Sequence, residues 1–277
     1  MASDPVKIVV QAPIRVMGVL NMTPDSFSDG GSVSSVEEGL ARALALLRGG
    51  ADILDVGGES TRPGAAPVPA DEEISRVVPL IRALRHETDA PISIDTLKAE
   101  TARAAIAAGA TIWNDVSGLR GPGSLEAAAE LGCDVVLMHM QGEPGTMQQD
   151  PRYDDVVAEV AEFLQARAEA AMAAGVSRER IWLDPGIGFG KHMTRHNLPL
   201  LAGLKRIVDL GFPVLLGVSR KGFIGALDDG APADARLGGS IAAALAGAAA
   251  GVAAVRVHDV REHVQALRVW QAIAAAG

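Results

Sequence analysis

One pattern constrains this chain more than any other. A short apolar run ends in a polar residue, a loop follows, and then an amphipathic helix, and this unit recurs eight times. The runs are Arg15–Leu20 ending at Asn21, Ile53–Val56 running into Gly57, and Pro91–Ile94 ending at Asp95. Thr111–Trp113 ends at Asn114-Asp115, Asp134–Met138 at His139, and Ile181–Leu183 at Asp184. Pro213–Val218 ends at Ser219-Arg220-Lys221, and Ala254–Val257 contains Arg256 and leads into His258-Asp259. Strands that are apolar on both faces and joined by helices belong to a parallel sheet with a covered outer face. Eight such units predict an α/β chain folded as one (β/α)8 TIM barrel over residues 14–277, with residues 1–13 as an N-terminal arm. An open doubly wound sheet is the rival. It would want a GxGxxG opening a helix after the first strand, and none is there.

The helices follow the same reading. Val36, Leu40, Ala43, Leu44 and Leu47 recur at helical spacing and stop at Gly49-Gly50. Ile74, Val77, Val78, Ile81 and Leu84 predict another helix, with Pro79 inside it. A long helix is predicted near 154–174, one helix from Leu198 to Leu210, two pieces split near Gly230-Ala-Pro232, and a last helix carrying Val264, Leu267 and Val269. His86 and His263 read as surface residues of such helices.

Charge and cysteine content narrow the function. A net charge of -9 argues against a nucleic-acid partner, while leaving room for a local cationic site for anions. The one cysteine, Cys133, excludes an internal disulfide and a multi-cysteine zinc site, and nothing near it marks an activated thiol. No apolar stretch is long enough for a membrane span and the N-terminus has no leader-like apolar region, so a cytoplasmic setting is expected.

In a (β/α)8 barrel the C-terminal strand ends face one mouth. There the sequence gathers Asn21, Thr61-Arg62, Asp95, Asn114, His139, Asp184, Lys221, Arg256 and His258. Any one of these could be an ordinary turn residue; their convergence is what counts. Asp95, Asn114 and Asp184 can read the N–H and carbonyl edge of a flat heterocycle, with Lys221 reaching a ring carbonyl or nitrogen. Arg62, Arg256 and His258, with Asn21 beside them, suit a diphosphate, because guanidinium binds phosphate oxygens in bidentate fashion. His192 and His196 have the spacing of a metal pair without an evident third ligand, and Lys221 would also suit a Schiff base. Phe27 and Phe189 read equally as packing residues or as the lining of a second ligand's pocket.

The motifs that carry these residues closely resemble those of the dihydropteroate synthase family. They are Met17–Gly31 (MGVLNMTPDSFSDGG), Asp55–Gly64 (DVGGESTRPG), Ser93–Thr96, Asn114–Gly118, Met138–Gly142, Asp184–Lys191 (DPGIGFGK), Ser219–Lys221 and Arg256–Val260. The resemblance implies a cytoplasmic, homodimeric folate-synthesis transferase that joins 4-aminobenzoate to a dihydropterin methyl diphosphate, with Mg2+ assisting. By motif position it implies Asp95, Asn114, Asp184 and Lys221 on the pterin, Asn21 on Mg2+, and Thr61, Arg62, Arg256 and His258 on the diphosphate side, with Arg256 also against the pterin ring. Met138, Phe189, Gly217, Ser219 and Val257 complete the implied substrate-binding set, with Phe27 on a loop over the second substrate. Asp95, Asp184, Lys221 and Arg256 are the implied catalytic group. Sulfonamides would be inhibitors. Where many members have Ser after Ser-Arg-Lys, against the aminobenzoate carboxylate, this chain has Gly222. A pterin-dependent methyltransferase barrel would need the Asp/Asn set but not Arg62, Arg256 or the Asn21 loop. A pterin-binding relative without turnover is the third reading.

Overall fold

A computed structural model describes residues 13–22, 33–60 and 67–276. Eight strands form one parallel sheet: β1 (Arg15–Asn21), β2 (Ile53–Gly57), β3 (Ile92–Asp95), β4 (Ile112–Asp115), β5 (Asp134–Met138), β6 (Ile181–Asp184), β7 (Leu215–Gly217) and β8 (Ala254–Val257). The hydrogen-bonded order is β6-β5-β4-β3-β2-β1-β8-β7. A parallel bridge between Leu183 and Val214 joins the two ends, and the Leu183 N–H donates to the Pro213 carbonyl at 2.9 Å. The sheet therefore curls into the expected (β/α)8 barrel.

The helices on the outside are α1 (Val33–Gly49), α2 (Ala70–Glu87), α3 (Ala99–Ala107), α4 (Ser124–Leu131), α5 (Val156–Ala174), α6 (Asn197–Ala202), α7 (Leu204–Val208), α8 (Gly222–Leu227), α9 (Leu237–Ala250) and α10 (Val260–Ala276). Among the described residues no helix is long and apolar enough to cross a membrane.

Strand parity divides the apolar residues into two layers. Leu54, Val56, Ile92, Ile94, Trp113, Val135, Leu137, Leu183, Leu216 and Val255 face outward and pack with the helices. Met17, Ile53, Ile112, Val136, Trp182, Leu215 and Ala254 form a separate cluster that fills the barrel's lower interior. Arg15 closes that floor with its guanidinium 4.5 Å from the Trp182 ring centre.

Two helix expectations meet a different outcome, and one holds. The helix predicted from Leu198 to Leu210 is two short helices broken at Gly203. A β-carbon there would lie 2.7 Å from a Val157 methyl, so the break lets the chain approach α5. As expected, α2 runs through Pro79, to Glu87. Pro79 and Ser75 are both exposed, so the carbonyl that Pro79 leaves without a donor faces water. His263 is not on the surface: it is fully buried, and its Nδ1 lies 2.7 Å from the Asp259 carbonyl oxygen. It shares the buried stripe of Val260, Val264 and Leu267, so the i, i+3, i+4, i+7 spacing places it inside.

Candidate active site

The inward parity that builds the floor continues upward by two residues on each strand. It brings Asp55, Asp95, Asn114, Met138, Asp184, Gly217 and Arg256 to the mouth. Arg256 lies at the centre. Its Nε donates to Asp55 Oδ2 at 2.6 Å and one terminal N–H donates to Asp95 Oδ2 at 2.8 Å. The Asn114 amide lies 3.5 Å from both Asp55 oxygens. Asp55 is fully buried, and Asp95 and Asn114 nearly so. Asp95 Oδ1 is buried without a hydrogen-bond partner. A buried acceptor without a donor is costly, so this atom marks a place where a ligand N–H is wanted. Burial pushes the Asp95 carboxyl up to about 7 against the pull of Arg256, and Asp55 raises it further. Burial also opposes the Arg256 charge, but Asp55 and Asp95 outweigh it and hold its pKa above the ordinary value.

Across the mouth stand Asp184 and Lys221. Asp184 Oδ1 accepts the Gly186 N–H at 2.7 Å, while Oδ2 faces Gly217, whose missing side chain leaves space above it. Burial raises the Asp184 pKa, countered by the Gly186 N–H and Lys221. Burial lowers Lys221 to about 8, countered by Asp184. The Lys221 ammonium sits 4.2 Å from the centre of the Phe189 ring, a cation–π arrangement. Gly186 has φ +65 and a side chain there would overlap the His139 carbonyl, so the turn after β6 needs glycine.

His258 follows β8 and pairs with Ser219: its backbone N–H donates to Ser219 Oγ at 3.2 Å, and its Nδ1 lies 3.1 Å from the same oxygen. Burial lowers the His258 pKa to about 4, with Arg256 and Arg220 adding to the effect. Arg220 holds φ +58 beside Lys221. It is kept there by the Asp259 carboxylate, by Ser240 Oγ on its N–H at 2.9 Å, and by Arg236 on its carbonyl at 3.0 Å. Asn21 lies at the end of β1 opposite Gly57. A β-carbon at Gly57 would stand 3.7 Å from Asn21 Oδ1 and 3.6 Å from the Asp95 side chain, so the glycine keeps a gap open between them.

The mouth thus unites Asn21, Asp95, Asn114, Asp184, Gly217, Ser219, Lys221, Arg256 and His258. Met138 packs with Val116, Met140 and Met147, and Phe189 lies against this cluster. Val257 differs: its side chain is buried in the outer layer, which leaves only its backbone at the mouth. Phe27, Thr61 and Arg62 lie outside the described residues. At Gly222, the start of α8, a β-carbon would meet the Met193 sulfur at 2.9 Å. His192 and His196 spend their Nδ1 atoms on a turn, taking backbone N–H groups from Thr194, Arg195 and His192 itself. Cys133 is buried, and burial raises its pKa to about 11, away from thiolate chemistry.

Two buried groups escaped the reading of the sequence. Asp55, the acceptor for Arg256 and Asn114, was hidden inside an apolar strand rather than at its end. Lys191 is fully buried next to the turn of Asp184. A carboxylate at an inward position, two residues above Ile53, was the available signal for the first.

A barrel whose mouth carries buried carboxylates, an amide and two cations is a site for a polar, N–H-rich ring with an anionic substituent. The sequence pattern of the family described as "Pterin binding enzyme" matches residues 17–258. Dihydropteroate synthase of Escherichia coli (strain K12) is 48% identical over 262 residues, which cover 95% of this chain and 92% of that protein. The Xanthomonas albilineans dihydropteroate synthase solved with 4-aminobenzoic acid superposes with a TM-score of 0.89 at 52% identity, covering 95% of this chain and 94% of that one. The Yersinia pestis dihydropteroate synthase solved with a sulfonamide drug gives 0.90 at 43% identity, covering 99% of both chains. The chain belongs to the dihydropteroate synthase family.

Proposed function

We propose that this protein condenses 4-aminobenzoate with (7,8-dihydropterin-6-yl)methyl diphosphate, giving 7,8-dihydropteroate and diphosphate, the transferase step of folate synthesis. The observation that carries the reading is the buried Asp95–Arg256–Asp55–Asn114 set facing Asp184 and Lys221, with Asp95 Oδ1 left unpartnered. A pterin offers ring N–H groups to Asp95 and Asp184 and a carbonyl or ring nitrogen to Lys221 and Asn114. Met138, Phe189 and Gly217 border the flat ring, and Val257 contributes through its backbone. The diphosphate goes to Ser219, His258 and the open side of Arg256, joined by Thr61 and Arg62 from their motif. Phe27 is assigned to the second substrate by its motif alone.

The aminobenzoate amine is nucleophile enough to need no general base. The demanding event is departure of diphosphate from the pterin methylene. Buried carboxylates beneath the ring stabilise the cation that develops there, since charge is worth more in a site closed to water. Cationic and N–H donors hold the leaving oxygens. The substitution is therefore dissociative: C–O cleavage runs ahead of C–N bond formation, and the amine loses its proton to solvent.

Mg2+ fits this donor set in one way. Asn21 presents a single neutral oxygen across the Gly57 gap, and among the described residues no group of three or more His, Cys, Asp or Glu side chains is arranged to hold a metal. An ion that enters with the diphosphate and keeps its waters suits such a site. When bound, it supplies charge neutralisation on the leaving group. The protein acts in the cytoplasm as a homodimer, and sulfonamides compete with 4-aminobenzoate.

Diphosphate release measured with both substrates and Mg2+ tests the activity. Release that requires 4-aminobenzoate supports it; pterin binding without release would make the chain a binding protein. Sedimentation equilibrium tests the dimer.

A further inference from the structure

Lys191 has no exposed surface, and among the described residues its Nζ contacts no carboxylate. Instead Nζ lies 2.9 Å from His139 Nδ1, 3.0 Å from the Gly186 carbonyl oxygen and 3.0 Å from the Phe189 carbonyl oxygen, with the His139 carbonyl at 3.5 Å. Three donors of an ammonium match three close acceptors. A neutral amine would serve as well, giving two N–H groups to the carbonyls and accepting Nδ1–H. The contact survives either protonation state.

These acceptors come from two elements. His139 directly follows β5, and its ring is fixed edge-on against Phe163 at 4.8 Å. Gly186 and Phe189 belong to the turn after β6, which also receives the Phe189 N–H on the Gly186 carbonyl at 3.0 Å. The same turn supplies the N–H that orients Asp184 Oδ1 and carries the ring beneath the Lys221 ammonium. Gly188 lies 3.4 Å, measured from its would-be β-carbon, from the Lys221 stem. Without Nζ, the Phe189 carbonyl and His139 Nδ1 would lose their buried partner and the Gly186 carbonyl would keep only the Phe189 N–H, so the turn would open to find water.

We propose that Lys191 is a positioning residue for ring recognition: its buried Nζ folds the Gly186–Phe189 turn onto β5 and so sets where Asp184, Phe189 and Lys221 meet the ligand. This rests on the pterin reading of the mouth given above. Lys191 touches neither substrate, so its loss changes how well the ring is held more than how fast the bond breaks.

Lys191→Met keeps the stem and removes the amine. Steady-state kinetics should show KM for the pterin diphosphate raised roughly tenfold or more, with kcat reduced far less. KM for the pterin diphosphate within twofold of the wild-type value in the folded variant overturns the proposal. If Lys191→Met does not fold, the His139 pair decides. His139→Gln retains an acceptor for Nζ and should keep KM near wild type, whereas His139→Leu should raise it several-fold; equal KM in both overturns the proposal. Asp184→Asn separates this from the underlying reading. If Asp184→Asn also leaves pterin KM unchanged, the ligand assignment itself fails. If it raises KM while Lys191→Met does not, only the positioning role falls.

Discussion

The floor and the mouth of the barrel are built from the same strands, two residues apart, with opposite chemistry. Ile53 lies below Asp55, Ile112 below Asn114, Trp182 below Asp184, Leu215 below Gly217 and Ala254 below Arg256. The lower residue of each pair belongs to one closed apolar cluster. The upper residues hold two carboxylates, an amide and a guanidinium; Asp95 on β3 adds a third carboxylate, whose Oδ1 has no partner. One parity therefore sends the chain from a region of apolar packing to one where burial works against the charged groups. The floor supports folding, and the mouth retains unsatisfied capacity for a ligand.

The sharpest test of that division is Trp182→Ala. Losing a large ring from the floor should cost about 3–5 kcal/mol of stability, read by urea unfolding. Activity at a temperature where the variant stays folded should change only a few-fold. A dead but stable Trp182→Ala protein would erase the distinction.

Asp184→Ala is the mirror experiment. It should cost about 2–4 kcal/mol in kcat/KM for the pterin diphosphate, because ring N–H groups lose their acceptor. Asp184→Asn should also be poor, since its amide offers one acceptor where the carboxylate offers two. Stability should fall less than activity, because the relief of a buried carboxylate partly offsets the lost Gly186 N–H bond and the lost partner of Lys221. Wild-type turnover in folded Asp184→Ala would take Asp184 out of the site.

Arg256→Lys probes the place where the division blurs. From its strand-end position Arg256 reads as a ligand-facing cation whose loss would spare stability. In the fold it bridges Asp55 and Asp95, and a lysine cannot span both as a fork does. Losing one charge-assisted bond should cost about 1.5–3 kcal/mol of stability together with a lower kcat/KM. A loss of activity with unchanged unfolding would return Arg256 to a purely ligand-facing role.

These cases also show what the sequence made legible. Eight apolar runs with polar ends were enough for the barrel and for placing most of the described strand-end residues at its mouth, because strand ends need no register to be located. Asp55 needed register. It sits mid-strand, and only the pairing of Asp55 with Val19 and Ser93 reveals that it shares the inward face with Asp95 and Arg256. Lys191 needed tertiary structure, since a lysine after a glycine turn reads as solvent-facing until β5 is seen beside it. Gly203 was legible as a helix breaker only through its contact with Val157. His263 was misread because a polar residue was allowed to outweigh a clean helical stripe.

The smallest expected effect concerns His258, a mouth group whose burial works against its charge. Its ring faces Arg256, Arg220, Lys221 and Asp259, with Ser219 as its hydrogen-bond partner. Burial first, and then Arg256 and Arg220, lower its pKa from 6.5 to about 4. The unfolded chain therefore binds this proton more readily than the folded one. His258 favours the folded state above about pH 6.5, and that contribution fades as pH falls towards 4. Asp95 and Asp115 pull the other way: their raised values, about 7 and about 6, make the folded state gain as acid protonates them. The wild-type curve of stability against pH is thus a sum of opposed slopes, and its shape alone identifies no group. The difference between wild type and His258→Gln isolates one. Urea unfolding of both proteins from pH 7.5 to 4, without ligand, should give a difference that is flat above about 6.5 and then slopes so that the variant loses less stability on acidification. Repeating the series with diphosphate should shrink that slope, because an anion beside the ring favours its charged form. A flat difference throughout would mean that His258 titrates alike in both states, so its ring would not share the charge-burying character of the mouth.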